Sequence, residues 1–169
     1  MAAAIATFSR YGYRRCTMAD VAAAAGMSRP ALYLLFCGKE KVFRAVAETL
    51  LADAATAAEQ AWPQGADLPR GLAAAILAKD LPIHRLCYAS AHAEEILAVA
   101  ATLTADLHQE SSARFELLLA TRLHEAGRSD ADGLARMLAS AATGLKHADL
   151  PETEYVADVV RLARLIGEK

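Results

Sequence analysis

Two stretches of the 169-residue chain hold side chains whose types and spacing could do chemistry. In the first, between residues 17 and 39, Arg29 offers a planar guanidinium whose fork matches the two acceptors on a guanine edge. Small Ala31 lets the backbone approach base edges or a thymine methyl, and Tyr33 can put its hydroxyl on a phosphate. In the second, between residues 84 and 92, His84, Cys87 and His92 are the residue types of a metal or nucleophilic set. Positions i and i+8 lie about 12 Å apart along a helix, too far to share one ion. The sequence contains no Gly-rich phosphate loop, metal-binding helix motif or nucleophile elbow. The residues therefore point to recognition rather than catalysis, with no cofactor and no metal site, and the protein is expected not to be an enzyme.

The first stretch is punctuated as two short helices with a third behind them. Thr17 can cap the first helix while Asp20, three residues on, answers as in a capping box. Val21, Ala22 and Ala25 supply a small apolar face, and Gly26 stands where a helix needs a residue tolerant of positive φ to stop. Ser28 caps the second helix, and Pro30 lies in its first turn, where a missing N–H has no partner to lose. Leu32 and Phe36, spaced i and i+4, belong inside. The opposite face carries Ser28, Arg29, Ala31, Tyr33, Leu34 and Leu35. Such a pair reads as a helix-turn-helix whose second helix enters a major groove. The alternative is an ordinary helical hairpin with Arg29 and Tyr33 as surface residues.

The order Phe8, Gly12, Thr17, Val21-Ala22, Ala25-Gly26-Met27-Ser28, Leu32-Tyr33, Phe36, Lys39-Glu40 closely resembles the DNA-binding domain of the TetR family of bacterial transcriptional regulators. The resemblance implies an all-α protein. A homeodomain-like, three-helix helix-turn-helix domain would occupy residues 1–46, and a helical bundle for ligand binding and dimerisation residues 47–169. Carried over position by position, the family's DNA contacts fall on Thr17, Ser28, Arg29, Pro30, Ala31, Tyr33, Leu34 and Lys39. The family's common mode is a homodimeric repressor on a near-palindromic operator, released by a small-molecule effector. One short helix offers few base contacts, so two half-sites about one helical turn apart are needed. Two departures stand out. Leu35 replaces the His or Tyr that often reaches a phosphate, and the first helix begins at Met1 without a preceding basic arm, so that either attraction to DNA is weaker or the chain is trimmed ahead of Met1. The alternative is a helical protein-interaction or ligand-binding module that has lost DNA binding.

Composition agrees with a folded, non-membrane chain: 55% of residues are apolar and 22% charged, enough for a core. The formal net charge of −2 hides an asymmetry. Residues 1–47 hold seven basic against two acidic side chains, a surplus of +5, and the remainder carries −7. A basic head on an acidic body is the electrostatic footprint of a nucleic-acid reader. Cys16, Cys37 and Cys87 lack the spacing of a zinc site or disulfide framework, which fits a reducing cytoplasm. No uncharged apolar run approaches the roughly 18 residues that span a bilayer, and there is no signal-peptide layout.

The remaining elements must position these residues. Residues 2–11 read as a helix with Ile5 and Phe8 inward, ended by Gly12, and Arg14 and Arg15 follow in a link placed to meet phosphates. Lys39 opens a long helix whose first N–H groups and ammonium both face a phosphate. That helix runs to about Trp62 and bridges the two halves, so that movement at one end is felt at the other. A turn-rich loop covers residues 63–69. Helices are then expected over 70–79 and, restarted by Pro82, over 83–91. Residues 94–126 read as one long helix or two joined near Ser111-Ser112.

Two amphipathic helices close the chain, near residues 130–146 and 152–166. The resemblance implies that they pair with their copies in a second subunit as a four-helix interface. The alternative is that Ala139, Ser140, Thr143 and Gly144 pack within the monomer. It also implies a site for a small hydrophobic effector inside the bundle. Trp62, His84, Cys87, Tyr88, His92, Phe115, Arg122 and Met137 are the candidate lining, since pockets join apolar walls to a few polar groups.

Overall fold

The computed structural model describes residues 1–168, and every regular element among them is an α-helix. In chain order they are α1 (Ala2–Arg15), α2 (Met18–Ala24), α3 (Arg29–Leu35), α4 (Lys39–Gln60), α5 (Leu68–Ala89), α6 (Ala93–Leu103), α7 (Ala105–Glu125), α8 (Ala131–Lys146) and α9 (Glu152–Gly167). The caps fall where their chemistry requires. Thr17 and Asp20 form a reciprocal capping box at the start of α2, and the Ser28 hydroxyl accepts from the Ala31 N–H at 3.3 Å to start α3. Gly26, at φ 65°, makes the turn between them. Ala25, expected on the inner face, is exposed.

Three boundaries differ from the sequence-based expectation. Pro82 lies inside α5 and does not restart the chain. Pro82 is exposed, and Ala78, whose carbonyl loses an N–H partner, is half-buried. The break between α6 and α7 falls at Thr104, not near Ser111-Ser112. The Thr104 side chain is buried; its hydroxyl donates to the Ala100 carbonyl (2.7 Å) and meets His108 Nδ1 (3.1 Å). Gly12 breaks α1 as expected (φ 73°, ψ 164°), but one more helical turn, residues 13–15, follows the break.

The chain divides into two compact units, Met1–Leu51 with Ala89–His108, and Ala52–Tyr88 with Gln109–Lys169. The first unit thus takes in α6 in addition to the helix-turn-helix segment anticipated over 1–46. Its core is a triangle of Phe8, Tyr13 and Phe43 with ring centroids 5.2 to 5.8 Å apart. Val21, Ala22, Leu32, Val42 and Val46 surround the rings, and Ile96, Val99, Ala100 and Leu103 of α6 pack against this cluster. These four are half-buried, so each contributes less than the roughly 1.5–3 kcal/mol of a fully buried large apolar side chain, and together they make α6 a wall of the unit. Periodicity gives the inward face of α6 but not its partner. The second unit is a bundle around Leu72, Ile76, Leu119, Leu123, Leu138, Tyr155 and Val159, with Ala135, Ala142 and Ala163 where helices approach closely.

Candidate nucleic-acid interface

With Leu32 buried and Phe36 packed against the core of the first unit, the other face of α3 is presented to solvent. Arg29, Pro30, Tyr33 and Leu34 are exposed on it, as is Ser28 at its cap, while Ala31 is half-buried. Leu34 is 88% exposed and Leu35 64%. Two exposed leucines on one short helix lie well beyond what solubility favours, and apolar side chains there suit thymine methyl groups. The Arg29 guanidinium carbon stands 5.5 Å from the Tyr33 ring centroid, an aromatic face that limits the rotamers of a long cation.

Thr17 has a double commitment. Its hydroxyl donates to Asp20 Oδ2 (2.6 Å) and accepts from the Asp20 N–H (3.2 Å), and its own N–H donates to the same carboxylate (2.8 Å). Those bonds lower the Asp20 pKa from its ordinary range. The residue remains exposed, on the same unit as α3.

Lys39 departs from the expectation that its ammonium faces a phosphate. Its three N–H donors go to the carbonyls of Tyr13 (2.7 Å), Cys16 (3.0 Å) and Arg14 (3.2 Å), and the ammonium lies 4.5 Å from the Tyr13 ring centroid. An ammonium has only three donors, so none is left for DNA in this arrangement. Arg44 is also committed internally. It donates to the Leu103 carbonyl and to both oxygens of Asp106, at 3.0 and 2.7 Å, and this pairing holds the Asp106 carboxyl at a pKa of about 2. Arg14, Arg15, Arg29 and Lys41 are exposed, with no side-chain bond to a carboxylate or carbonyl among the described residues. The +5 surplus of residues 1–47 is therefore offset locally: once Glu48, Glu94, Glu95 and Asp106 join the compact unit, it holds seven basic against six acidic side chains. What favours DNA is the placement of the exposed cations, since the unit as a whole is close to neutral.

The candidate ligand residues do not share one place. His92 belongs to the first unit and the other seven to the second. Met137 is 63% exposed on α8, on the outside of the bundle and away from any interior site, because Leu134, Ala135 and Leu138 take the inward positions. Trp62 and Arg122 do meet, with the guanidinium carbon 5.1 Å from the indole centroid. Arg122 Nε is buried there without a partner. Phe115 is buried beneath the Lys79 ammonium, 4.4 Å from its centroid. His84 stacks on Tyr155 at 4.2 Å and on exposed Tyr88 at 6.0 Å. Its two ring nitrogens meet the Lys146 and Leu150 carbonyls at 3.1 and 3.0 Å. Both nitrogens are thereby occupied. Half-buried Cys87 has its thiol pKa raised by burial, which keeps it a poor nucleophile.

Sequence reasoning did not single out the group beside His84. Asp80 is buried, with Oδ1 bound by Lys79 (2.6 Å) and Lys146 (3.1 Å), while its Oδ2 and the Tyr155 hydroxyl are buried without hydrogen-bond partners. Burial, with the Asp80 charge second, pushes the Tyr155 pKa up, and burial above all pulls the Lys79 pKa down. A carboxylate next to Lys79 in the otherwise apolar run 71–83 of α5 was the available signal.

These features define a class: an all-helical protein with a helix-turn-helix read head and a separate helical bundle. The first 46 residues match the family model described as bacterial regulatory proteins, tetR family, so the helix-turn-helix segment is similar to that family's DNA-binding domain. Solved structures share the fold over nearly the whole chain. A transcriptional regulator from Rhodococcus sp. Rha1 aligns with a TM-score of 0.80 at 21% identity, covering 98% of this chain and 92% of that one. A TetR-like transcriptional regulator from the same organism gives 0.71 at 23%, covering 99% and 93%. The fatty acid degradation regulator FadR from Bacillus halodurans gives 0.73 at 18%, covering 96% and 90%. No curated protein matches the sequence. No helix among the described residues is long and apolar enough to cross a membrane.

Proposed function

We propose that this chain is a cytoplasmic transcriptional repressor that binds a near-palindromic operator as a homodimer and leaves it when a small hydrophobic effector enters the second unit. The observation that carries the reading is the outward face of α3, where Arg29, Tyr33 and Leu34 stand exposed on a helix pinned by Leu32 and capped by Ser28. Arg29 reads a base edge, Tyr33 and Thr17 meet the backbone, Ala31 and Leu34 face methyl groups, and Ser28 and Pro30 set the helix entry. Lys39 serves this surface indirectly, through the turn it holds.

Dimerisation uses the outer faces of α8 and α9. Met137 and, at 74%, Leu165 are exposed there beside Ser140, Thr143 and Gly144, small residues that permit close approach. Similarity in fold to a regulator of fatty acid degradation supports an effector with an apolar body. Effector binding releases DNA only if the ligand prefers one arrangement of the two read heads, because equal affinity for both shifts nothing.

The test is a selection of bound sequences from random duplex DNA, followed by anisotropy titrations of the wild type and of Arg29→Ala. The variant should bind about 1–3 kcal/mol more weakly and lose preference at one base pair of each half-site. Unchanged operator preference in Arg29→Ala overturns the assignment. Absence of any salt-dependent duplex binding by the wild type in dilute buffer overturns the repressor reading itself.

A further inference from the structure

The turn that leads into the read head is held at both ends by side chains remote in sequence. Gly12 breaks α1, so residues 13–15 form a single helical turn of their own, closed by the Cys16 N–H on the Gly12 carbonyl at 3.2 Å. A separate turn has its own unsatisfied N–H groups at one end and carbonyls at the other. At the first end the Arg14 N–H donates to Glu95 Oε1 at 2.6 Å. At the other, Lys39 takes the carbonyls of Tyr13, Arg14 and Cys16. The carboxylate sits at the positive end of the turn's dipole and the ammonium at the negative end.

Glu95 is itself seated closely. Ser90, three residues before α6, donates its hydroxyl to the Ser9 carbonyl at 3.0 Å and accepts from the His92 N–H at 3.2 Å. A Cβ on Gly12 would stand 2.6 Å from Glu95 Oε2 and 3.2 Å from His92 Nδ1. Gly12 is thus fixed twice, by its positive φ and by the carboxylate lying against it. The turn so clamped carries Arg14 and Arg15, both exposed, and runs directly into Thr17.

We propose that Glu95 is a positioning residue for DNA binding, which, opposite Lys39, clamps residues 13–15 and so fixes where Arg14 and Arg15 meet the phosphate backbone. The proposal rests on the reading of these arginines as phosphate contacts. It makes α6 part of the DNA-reading apparatus, although no residue of that helix need touch DNA.

The experiment measures duplex affinity of the full chain across a salt series for the wild type, Glu95→Ala, Glu95→Gln and Arg14→Ala, with circular dichroism to establish folding. Glu95→Ala should lose about tenfold in affinity, with the salt slope reduced by about one, as for Arg14→Ala. In Glu95→Gln the amide oxygen still accepts from the Arg14 N–H, so affinity should stay within about twofold of the wild type. Wild-type affinity and slope in Glu95→Ala overturn the proposal, and so does an affinity loss with an unchanged slope, which would mark a merely structural role. If Arg14→Ala itself is indistinguishable from the wild type, the phosphate reading beneath the proposal falls instead. Should Glu95→Ala not fold, amide exchange in the wild type decides: an Arg14 N–H protected by about tenfold or more upholds the clamp, and an unprotected one overturns it.

Discussion

The two units differ in how completely their charged networks are satisfied. In the first, the turn of residues 13–15 has its N–H end met by Glu95 and its carbonyl end by Lys39, and the Arg44–Asp106 pair is bidentate. In the second, Asp80 holds two lysines with one oxygen while its other oxygen and the Tyr155 hydroxyl go unmatched in the interior. A fully satisfied network holds one geometry, which a reader of fixed groove spacing requires. A half-satisfied one carries a stability cost and leaves local donors and acceptors unused. The contrast is the one expected if, as proposed above, the first unit presents fixed groups to DNA and the second takes an effector.

Removing the anchor of the unsatisfied network gives the largest expected effect. Asp80→Ala leaves two half-buried ammonium groups without a counter-charge, and urea unfolding should show a loss of about 3–5 kcal/mol. A loss below about 1 kcal/mol would mean that the lysines find water or turn outward, and the contrast between the units would weaken. Next, Lys39→Ala strips three carbonyls of a charged donor in the first unit. It should cost about 2 kcal/mol by the same measurement, and it should move the amide exchange of residues 13–16. An effect on DNA affinity with no change in stability would return Lys39 to a direct phosphate role.

Tyr155→Phe sharpens the comparison from the other side. It deletes a hydroxyl that has no partner, so stability should hold or rise by up to about 1 kcal/mol, whereas a clear loss would show that the hydroxyl is bonded. The smallest effect concerns pH. Asp106, at a pKa of about 2 against an ordinary 3.8, is a carboxyl whose folded value is depressed. Its contribution is therefore complete above about pH 4 and is lost as pH falls through the folded value. Asp106→Asn should flatten the acid limb of the stability curve between about pH 4 and 2, and superimposable curves would show that the exposed pair contributes nothing.

Much of the read head was legible in the chain. Thr17, Asp20, Gly26, Ser28 and Pro30 are punctuation acting over three or four residues, so their caps and turns follow from local chemistry. Leu32 and Phe36 needed only helical periodicity. The bundle was legible as amphipathic helices but not as a site. His84, Tyr88 and Tyr155 come together across 71 residues of chain, and Met137, apolar and therefore suspected of lining a pocket, faces outward. Pro82 misled because a proline that usually breaks or kinks a helix is here carried inside α5, on an exposed position. Thr104 was missed because its hydroxyl bond to the carbonyl four residues back is no mark of a break: Thr102, Thr121 and Thr143 make the same bond within continuous helices, and what sets Thr104 apart is its burial and its contact with His108 Nδ1.

Local interactions between residues a few positions apart determined the caps of α2 and α3, the turn between them and the outward face of α3, and for those the sequence alone sufficed. Only the tertiary structure decided what the charges are for. Lys39, Arg44 and Glu95 look like surface residues in the chain, yet their partners lie 23 to 81 residues away. A charge acquires its role from the donor or acceptor it reaches, and over such separations packing, not spacing, chooses that partner.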